Sequence, residues 1–548
     1  MSDNTDAKIL SSSAVMAAGT TVSRLSGYVR SSLLVWALGN ALHADVFNVA
    51  NTVPNMLYIL LAGGVFNAVL VPQLVRSLKD DADGGEAYTN RVITLAALFL
   101  AAVTVLLIVA APLIMSVLLD SRYSKPELAG QRQSVIDFAR FCLPQVFFYG
   151  MFVLVGQILN ARGRFGPMMW APIANNVISV GVLVTYLFVF GEATGAEKSG
   201  PFTSGQELLL GLGSTAGIVA QLLILLPYLK KAGFTYRPRF DFRGTGLGHT
   251  LRLGTWTVLF VIVNQVAYTV VVKLASGGTA DGPGGTGLTI YSYSFLLVMV
   301  PHAILTVSLA TAILPRLSAY ARENEYAALS TSLASTLRTA LAVVIPFAAL
   351  LPLVAPELAS LMFGFGAGAT SSKNFVPTLS LFGAGLVVFT VHYLMLRGFY
   401  ALEQTRTVFF IQCAVSLVNI AAAVLFVGRS NAADTSPALT LAYAAAYLVG
   451  ACISYSVLRR HLGGLHTPTL VRFAVRMVLA VAVSTGAALA VAVLLPGWGD
   501  QPGKVTALWR GALIGGADLA VLLVMARLLR LREITSVVDT VQGRLSRR

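Results

Sequence analysis

Apolar residues in this chain run in long blocks separated by short polar connections. They show neither the alternation of a half-buried strand nor the single stripe of an amphipathic surface helix. A helix needs ~20 mostly apolar residues to cross a bilayer. Such blocks lie at 10–38, 46–76, 91–118, 133–160, 166–190, 206–229, 249–275, 287–318, 329–354, 375–400, 406–427, 436–458, 469–495 and 507–530. The pattern predicts an all-α polytopic membrane protein with about fourteen transmembrane helices. Met1 to Lys8 is polar and carries two acids, so the first block reads as an uncleaved insertion signal.

The connection at 230–248, "KKAGFTYRPRFDFRGTG" and its flanks, is long and basic, and follows the sixth block. It predicts an N-terminal lobe at 1–229 and a C-terminal lobe at 249–460. The remainder, 461–548, holds blocks 13 and 14 and a basic tail. Internal similarity supports two lobes: "PNMLYILLAGGVFNAVLVPQL" from Pro54 resembles "PHAILTVSLATAILPRL" from Pro301. The second proline follows after 18 residues in one and 14 in the other, a difference of about one helical turn. Repeated lobes are typical of transporters that alternate access around a midplane site. Pro54, Pro144, Pro172, Pro301 and Pro346, with Gly63 and Gly64, interrupt apolar blocks, either as packing kinks or beside a wet cavity.

Composition agrees, with 56% hydrophobic and 11% charged residues. The net charge of +15 is spread over even-to-odd connections, for instance Arg76, Lys79 and Arg91; Arg162 and Arg164; Lys230 and Lys231; Arg316 and Arg322; Arg459 and Arg460. Basic residues collect on the cytoplasmic side, so both termini are expected there, and the excess points to lipid headgroups rather than nucleic acid. Cys142, Cys413 and Cys452 sit in apolar blocks with no metal-ligand or redox spacing. The glycine-rich "SGGTADGPGGTG" lacks the GK[ST] ending of a nucleotide loop, and no hydrolase or protease motif occurs. No enzyme, ATP engine or cofactor is expected; a coupling ion and any metal stay unassigned.

Charges inside the blocks carry the candidate chemistry. "SRLSGYVR" places Arg24 and Arg30 in block 1, where each costs at least ~2.5–3.5 kcal/mol to insert. An anionic headgroup would explain both, since a guanidinium fork suits phosphate oxygens; an ion pair with Asp45 or snorkelling of Arg30 are the alternatives. Asp45 opens block 2 either as a helix cap or as an arginine partner. Asp137 and Arg140 are three apart and read as their own pair. His302 and His392 read as satisfied core histidines, and Asp518 in block 14 has no obvious partner.

"SRLSGYVR", "ADVFNVANTVPNMLYILLAGGVFNAVLVPQL", "ILNARGRFGPMMWAPIANN", "VPHAILTVSLATAILPRLS" and "GFYALEQTRT" together resemble the MurJ (MviN) lipid II flippases of the multidrug/oligosaccharidyl-lipid/polysaccharide exporter superfamily. The resemblance implies two six-helix lobes around a cationic central cavity, plus two C-terminal helices that line a lipid-tail groove. It implies movement of the undecaprenyl-pyrophosphate-linked peptidoglycan precursor from inner to outer leaflet of the bacterial cytoplasmic membrane. Substrate-binding arginines then fall on Arg24 and Arg30, and a gating or ion-pair acid on Asp45. Further candidates for the cavity are Tyr58, Arg140, Asn175 and Gln265. Tyr58 stands where many relatives carry a third arginine, and Leu296 and Met299 where relatives often carry a basic residue and a carboxylate. Lipid II and membrane lipids are the expected partners, with cell-wall synthesis proteins beside them. Two alternatives stay open: a drug or polysaccharide-precursor exporter of the same superfamily, and a non-transporting scaffold for cell-wall synthesis.

Overall fold

Long apolar stretches with few charges leave a chain one way to satisfy its backbone in lipid, and it folds into helices. The computed structural model describes residues 2–61, 74, 77, 83, 85–241, 247–282 and 284–535. Among the described residues, twelve helical segments are long and apolar enough to cross a membrane: Glu86–Val109, Pro126–Ala161, Gly166–Val189, Ser204–Lys231, Thr255–Ala280, His302–Arg322, Tyr326–Phe363, Ser372–Ala401, Thr405–Val427, Ala432–His461, Thr467–Leu494 and Lys504–Leu528. They correspond one to one with blocks 3 to 14. Block 1 is the Ser2–Leu38 helix. The protein is a multi-pass, all-α membrane protein.

Block 2 is broken. The Leu42–Ala50 helix ends at Asn51, a second helix runs Thr52–Ile59 with Pro54 in its first turn, and a π turn follows at residues 60 and 61. Gln145 Nε2 donates to Asn51 Oδ1 at 3.2 Å across the break. Block 8 breaks similarly: Leu288–Val298 stops before Pro301, and His302–Thr306 forms a π segment. Proline removes one i→i−4 bond, and a π turn lets the helix absorb that loss. Gly63, Gly64 and Pro72 lie outside the described residues.

Contacts divide the chain into two compact units, Met1–Pro283 and Gly284–Arg548. The division falls after the Leu247–Ala280 helix, whereas the sequence reading placed the lobe boundary before it. That helix touches Leu42–Ala50 and Ala111–Leu118 in the first unit. In the first unit Ser2–Leu38 packs along Gly166–Val189, which packs on Ser204–Lys231. The close approach uses small residues: a Cβ at Gly19 would stand 2.9 Å from Trp170 Nε1. The basic connection is partly ordered by this unit. The backbone N–H groups of Arg237 and Arg239 donate to Asn90 Oδ1 at 2.8 Å and Thr94 Oγ1 at 3.1 Å, and Arg91 pairs with Asp241.

In the second unit Val376–Ala401 packs between Tyr326–Phe363 and Thr435–His461. A Cβ at Gly383 would lie 2.6 Å from the Ala348 carbonyl oxygen, so the two backbones touch there. Thr467–Leu494 and Lys504–Leu528 pack on each other and on Tyr326–Phe363.

Candidate functional site

Helix Ser2–Leu38 is fixed near its arginines by Asn176, whose Nδ2 donates to Ser23 O at 2.8 Å and Ser26 Oγ at 2.9 Å. Gly27, midway between the arginines, faces the same Asn176 side chain, 3.8 Å from where its Cβ would stand. Arg24 and Arg30 are both half-buried. Neither has a carboxylate partner among the described residues, and Arg24 Nε is buried with no hydrogen-bond acceptor. A buried donor left unmatched is costly unless a ligand supplies the acceptor.

The charge of Arg30 reaches the Tyr149 hydroxyl. Tyr149 in turn donates to Asn55 Oδ1 at 3.3 Å, and its ring lies 4.7 Å from that of Tyr58. Gln265 Nε2 donates to the Met56 carbonyl at 2.8 Å. The broken block 2 therefore sits among polar side chains from three other helices of the first unit. Of the sequence candidates, Tyr58 lies on this segment, Gln265 bonds to its backbone, and Arg30 reaches it through the charge it exerts on Tyr149.

Asp45 is completely buried and accepts a hydrogen bond from Thr279 Oγ1 at 2.8 Å. It does not cap its helix: the cap position is Ala41, with no side-chain bond, and Asp45 is the fourth helical residue. Its carboxylate still lies in the first turn, where the helix dipole favours negative charge. Next to it, Asp120 and Arg122 fasten the end of Leu247–Ala280. Ser276 Oγ receives the Asp120 N–H at 2.9 Å, and Arg122 Nε reaches Asp281 at 2.7 Å.

Arg140 is placed elsewhere, in an ion pair of 3.0 Å with Asp137. Asn175 packs against Gly217, and Ser179 Oγ donates to its Oδ1 at 3.5 Å. His302 Nδ1 meets Thr390 Oγ1 at 3.1 Å and His392 Nδ1 meets Ser454 Oγ at 3.2 Å, both buried. Leu296 is half-buried and Met299 buried. Among the described residues no three His, Cys, Asp or Glu side chains gather to hold a metal ion.

A family described as "Lipid II flippase MurJ" matches residues 34–501. The chain belongs to this family. A probable lipid II flippase MurJ of Haemophilus influenzae is 24% identical over 405 residues, covering 71% of this chain and 75% of that protein. The lipid II flippase MurJ of Burkholderia cenocepacia is 27% identical over 481 residues, covering 85% and 87%. A solved lipid II flippase MurJ in an inward closed conformation superposes with a TM-score of 0.70 at 16% identity, covering 94% of this chain and 99% of that one. An inward-facing multidrug-resistance MATE transporter of the MOP superfamily reaches a TM-score of 0.63 at 15% identity, covering 80% and 95%. The fold is thus shared with that wider superfamily.

The MurJ match begins after Arg24 and Arg30 and ends before Lys504–Leu528. Within that last helix lies an interaction the sequence reading missed. Arg510 Nη2 stands 3.0 Å from Glu357 Oε1, each side chain only 2% exposed, and Arg510 Nη1 donates to the Gly497 carbonyl at 3.0 Å. Glu357 lies three residues past the expected end of block 9, yet the helix continues through Pro346, Pro352 and Pro356 to Phe363. The signal available was one acid just past block 9 and one base inside block 14.

Proposed function

We propose that this chain moves the undecaprenyl-pyrophosphate-linked peptidoglycan precursor from the inner to the outer leaflet by alternating access. In this reading Arg24 and Arg30 hold the pyrophosphate while the polyprenyl tail stays in lipid. The observation that carries it is the buried Nε of Arg24, without an acceptor among the described residues, on a helix whose other arginine has no carboxylate partner among them either. Tyr149, the residue on which the Arg30 charge acts, is neutral and bonds to the neutral Asn55, so it leaves that charge for a ligand. Family membership supports the substrate class, because the relatives named above are lipid II flippases. Asp45 is the gating acid of this reading, held by Thr279 while the described arrangement persists. The membrane is the bacterial cytoplasmic membrane, with both termini on the cytoplasmic side, as the basic even-to-odd connections support. No ATP enters; the membrane potential, worth ~2.3 kcal/mol per charge at 100 mV, biases an anion-loaded step.

The test is binding of lipid II to the purified full chain, with competitors. Undecaprenyl pyrophosphate should displace it and undecaprenol should not, and Arg24→Ala should weaken binding by roughly tenfold to a hundredfold, the range for a lost charge-assisted bond. Equal competition by undecaprenol or by an organic cation would exclude pyrophosphate recognition.

A further inference from the structure

Asp518 is an acid that the headgroup reading does not use. It is 4% exposed and stands two residues past the midpoint of the Lys504–Leu528 helix. Ser484 and Thr485 of Thr467–Leu494 stand against its carboxyl. Asp518 Oδ1 and Thr485 Oγ1 are both buried without a hydrogen-bond partner, and no cation pairs with Asp518 among the described residues. On either side of it, Tyr326–Phe363 contributes Ile345, Ala349, Leu350 and Leu353 to apolar clusters. The charged groups flanking it are distant along the helices. Arg510, already held by Glu357, is eight residues before it, and Arg527 is nine after it and exposed. Arg476 on the facing helix is eight residues before Ser484. At 1.5 Å per residue, each lies roughly 12 Å or more along its axis.

A carboxylate enclosed in apolar surroundings with no cation becomes neutral by taking up a proton. The carboxylic acid so formed is a donor and an acceptor: it can donate to Ser484 Oγ, whose own hydrogen goes to the Val481 carbonyl at 3.2 Å, and accept from the Thr485 hydroxyl. We propose that Asp518 is a proton-binding site, protonated while Thr467–Leu494 and Lys504–Leu528 are packed as described, and that it releases the proton when water reaches it between these helices. The exchange is one O–H bond broken at the carboxyl, with the proton passing to water. Resting on the flippase reading above, this site would supply the proton coupled to transport.

The test is infrared spectroscopy of the full chain in lipid nanodiscs at neutral pH, with Asp518→Asn, Asp518→Glu and Glu357→Gln variants. The proposal expects a protonated-carboxyl C=O band that shifts in deuterium oxide, vanishes in Asp518→Asn, moves in Asp518→Glu and persists in Glu357→Gln. Absence of the band in the parent chain, or its persistence in Asp518→Asn, overturns the site. A band seen only when sodium is replaced by choline overturns it too, because the carboxylate then holds a metal cation. Coupling is read separately as lipid II exposure with and without an imposed pH gradient. Loss of gradient dependence in Asp518→Asn supports coupling, and unchanged dependence overturns it. If the parent chain exposes no lipid II, the flippase reading fails while the infrared result still decides the site.

Discussion

A guanidinium inside a hydrocarbon-facing helix needs an anion, and Arg24 and Arg30 have none from the described protein. Arg30→Lys keeps the charge but loses the planar fork, so lipid II binding should fall although expression does not. Equal binding by this variant would show that charge alone suffices. Outside the membrane-spanning blocks, His43 stacks on Phe202 at 3.5 Å, and its Nδ1–H donates to the Gly200 carbonyl at 3.0 Å. Burial pushes its pKa down to about 4. The unfolded chain, with a histidine near ~6.5, binds more protons than the native one between those values. Stability from neutral His43 is therefore complete above pH ~6.5 and lost as pH falls toward 4, by at most about 1.4 kcal/mol per unit. Thermal unfolding of His43→Phe should show less acid sensitivity than the parent over that window.

At the scale of elements, Tyr326–Phe363 holds the last helices at two heights. Glu357 pairs with Arg510, and Arg338 Nη1 reaches Glu533 Oε1 at 2.7 Å. The two anchor residues are 19 apart, about 28 Å along the helix and close to the ~30 Å hydrocarbon thickness. Removing one member of the buried pair should cost about 3–5 kcal/mol, because the other charge stays buried and unpaired. Arg510→Ala should thus lower the melting temperature in detergent strongly, and the joint change Glu357→Leu with Arg510→Met should recover most of it. An equal loss in the double variant would mean that packing rather than charge is at stake. Blocks 3 to 14 were legible because hydropathy alone decides which segments can span. The break at Asn51 and the Glu357–Arg510 pair were not, since one depends on a partner 94 residues away and the other joins residues 153 apart. Asp45 was legible as an acid at a helix start. Its true contact, with Thr279, is tertiary and leaves no local pattern.

For the whole molecule, the basic even-to-odd connections support the proposed orientation with both termini cytoplasmic. In a variant lacking Cys413 and Cys452, a cysteine at Arg459 should label only from the cytoplasmic side and one at Asn431 only from outside. The reverse result would invert the proposed direction of transport. Of the candidate site, Arg24, Arg30 and Asp45 stand out in the sequence by charge, whereas the bond of Tyr149 to Asn55 emerges only from folding. The central claim is that Arg24 and Arg30 carry the headgroup across. Its most direct measurement replaces a bacterium's own lipid II flippase with this chain and reads outer-leaflet lipid II by extracellular enzymatic cleavage, at matched membrane abundance. The account predicts that the parent chain restores exposure and that Arg24→Ala and Arg30→Ala do not. Exposure as high in those variants as in the parent chain would contradict it.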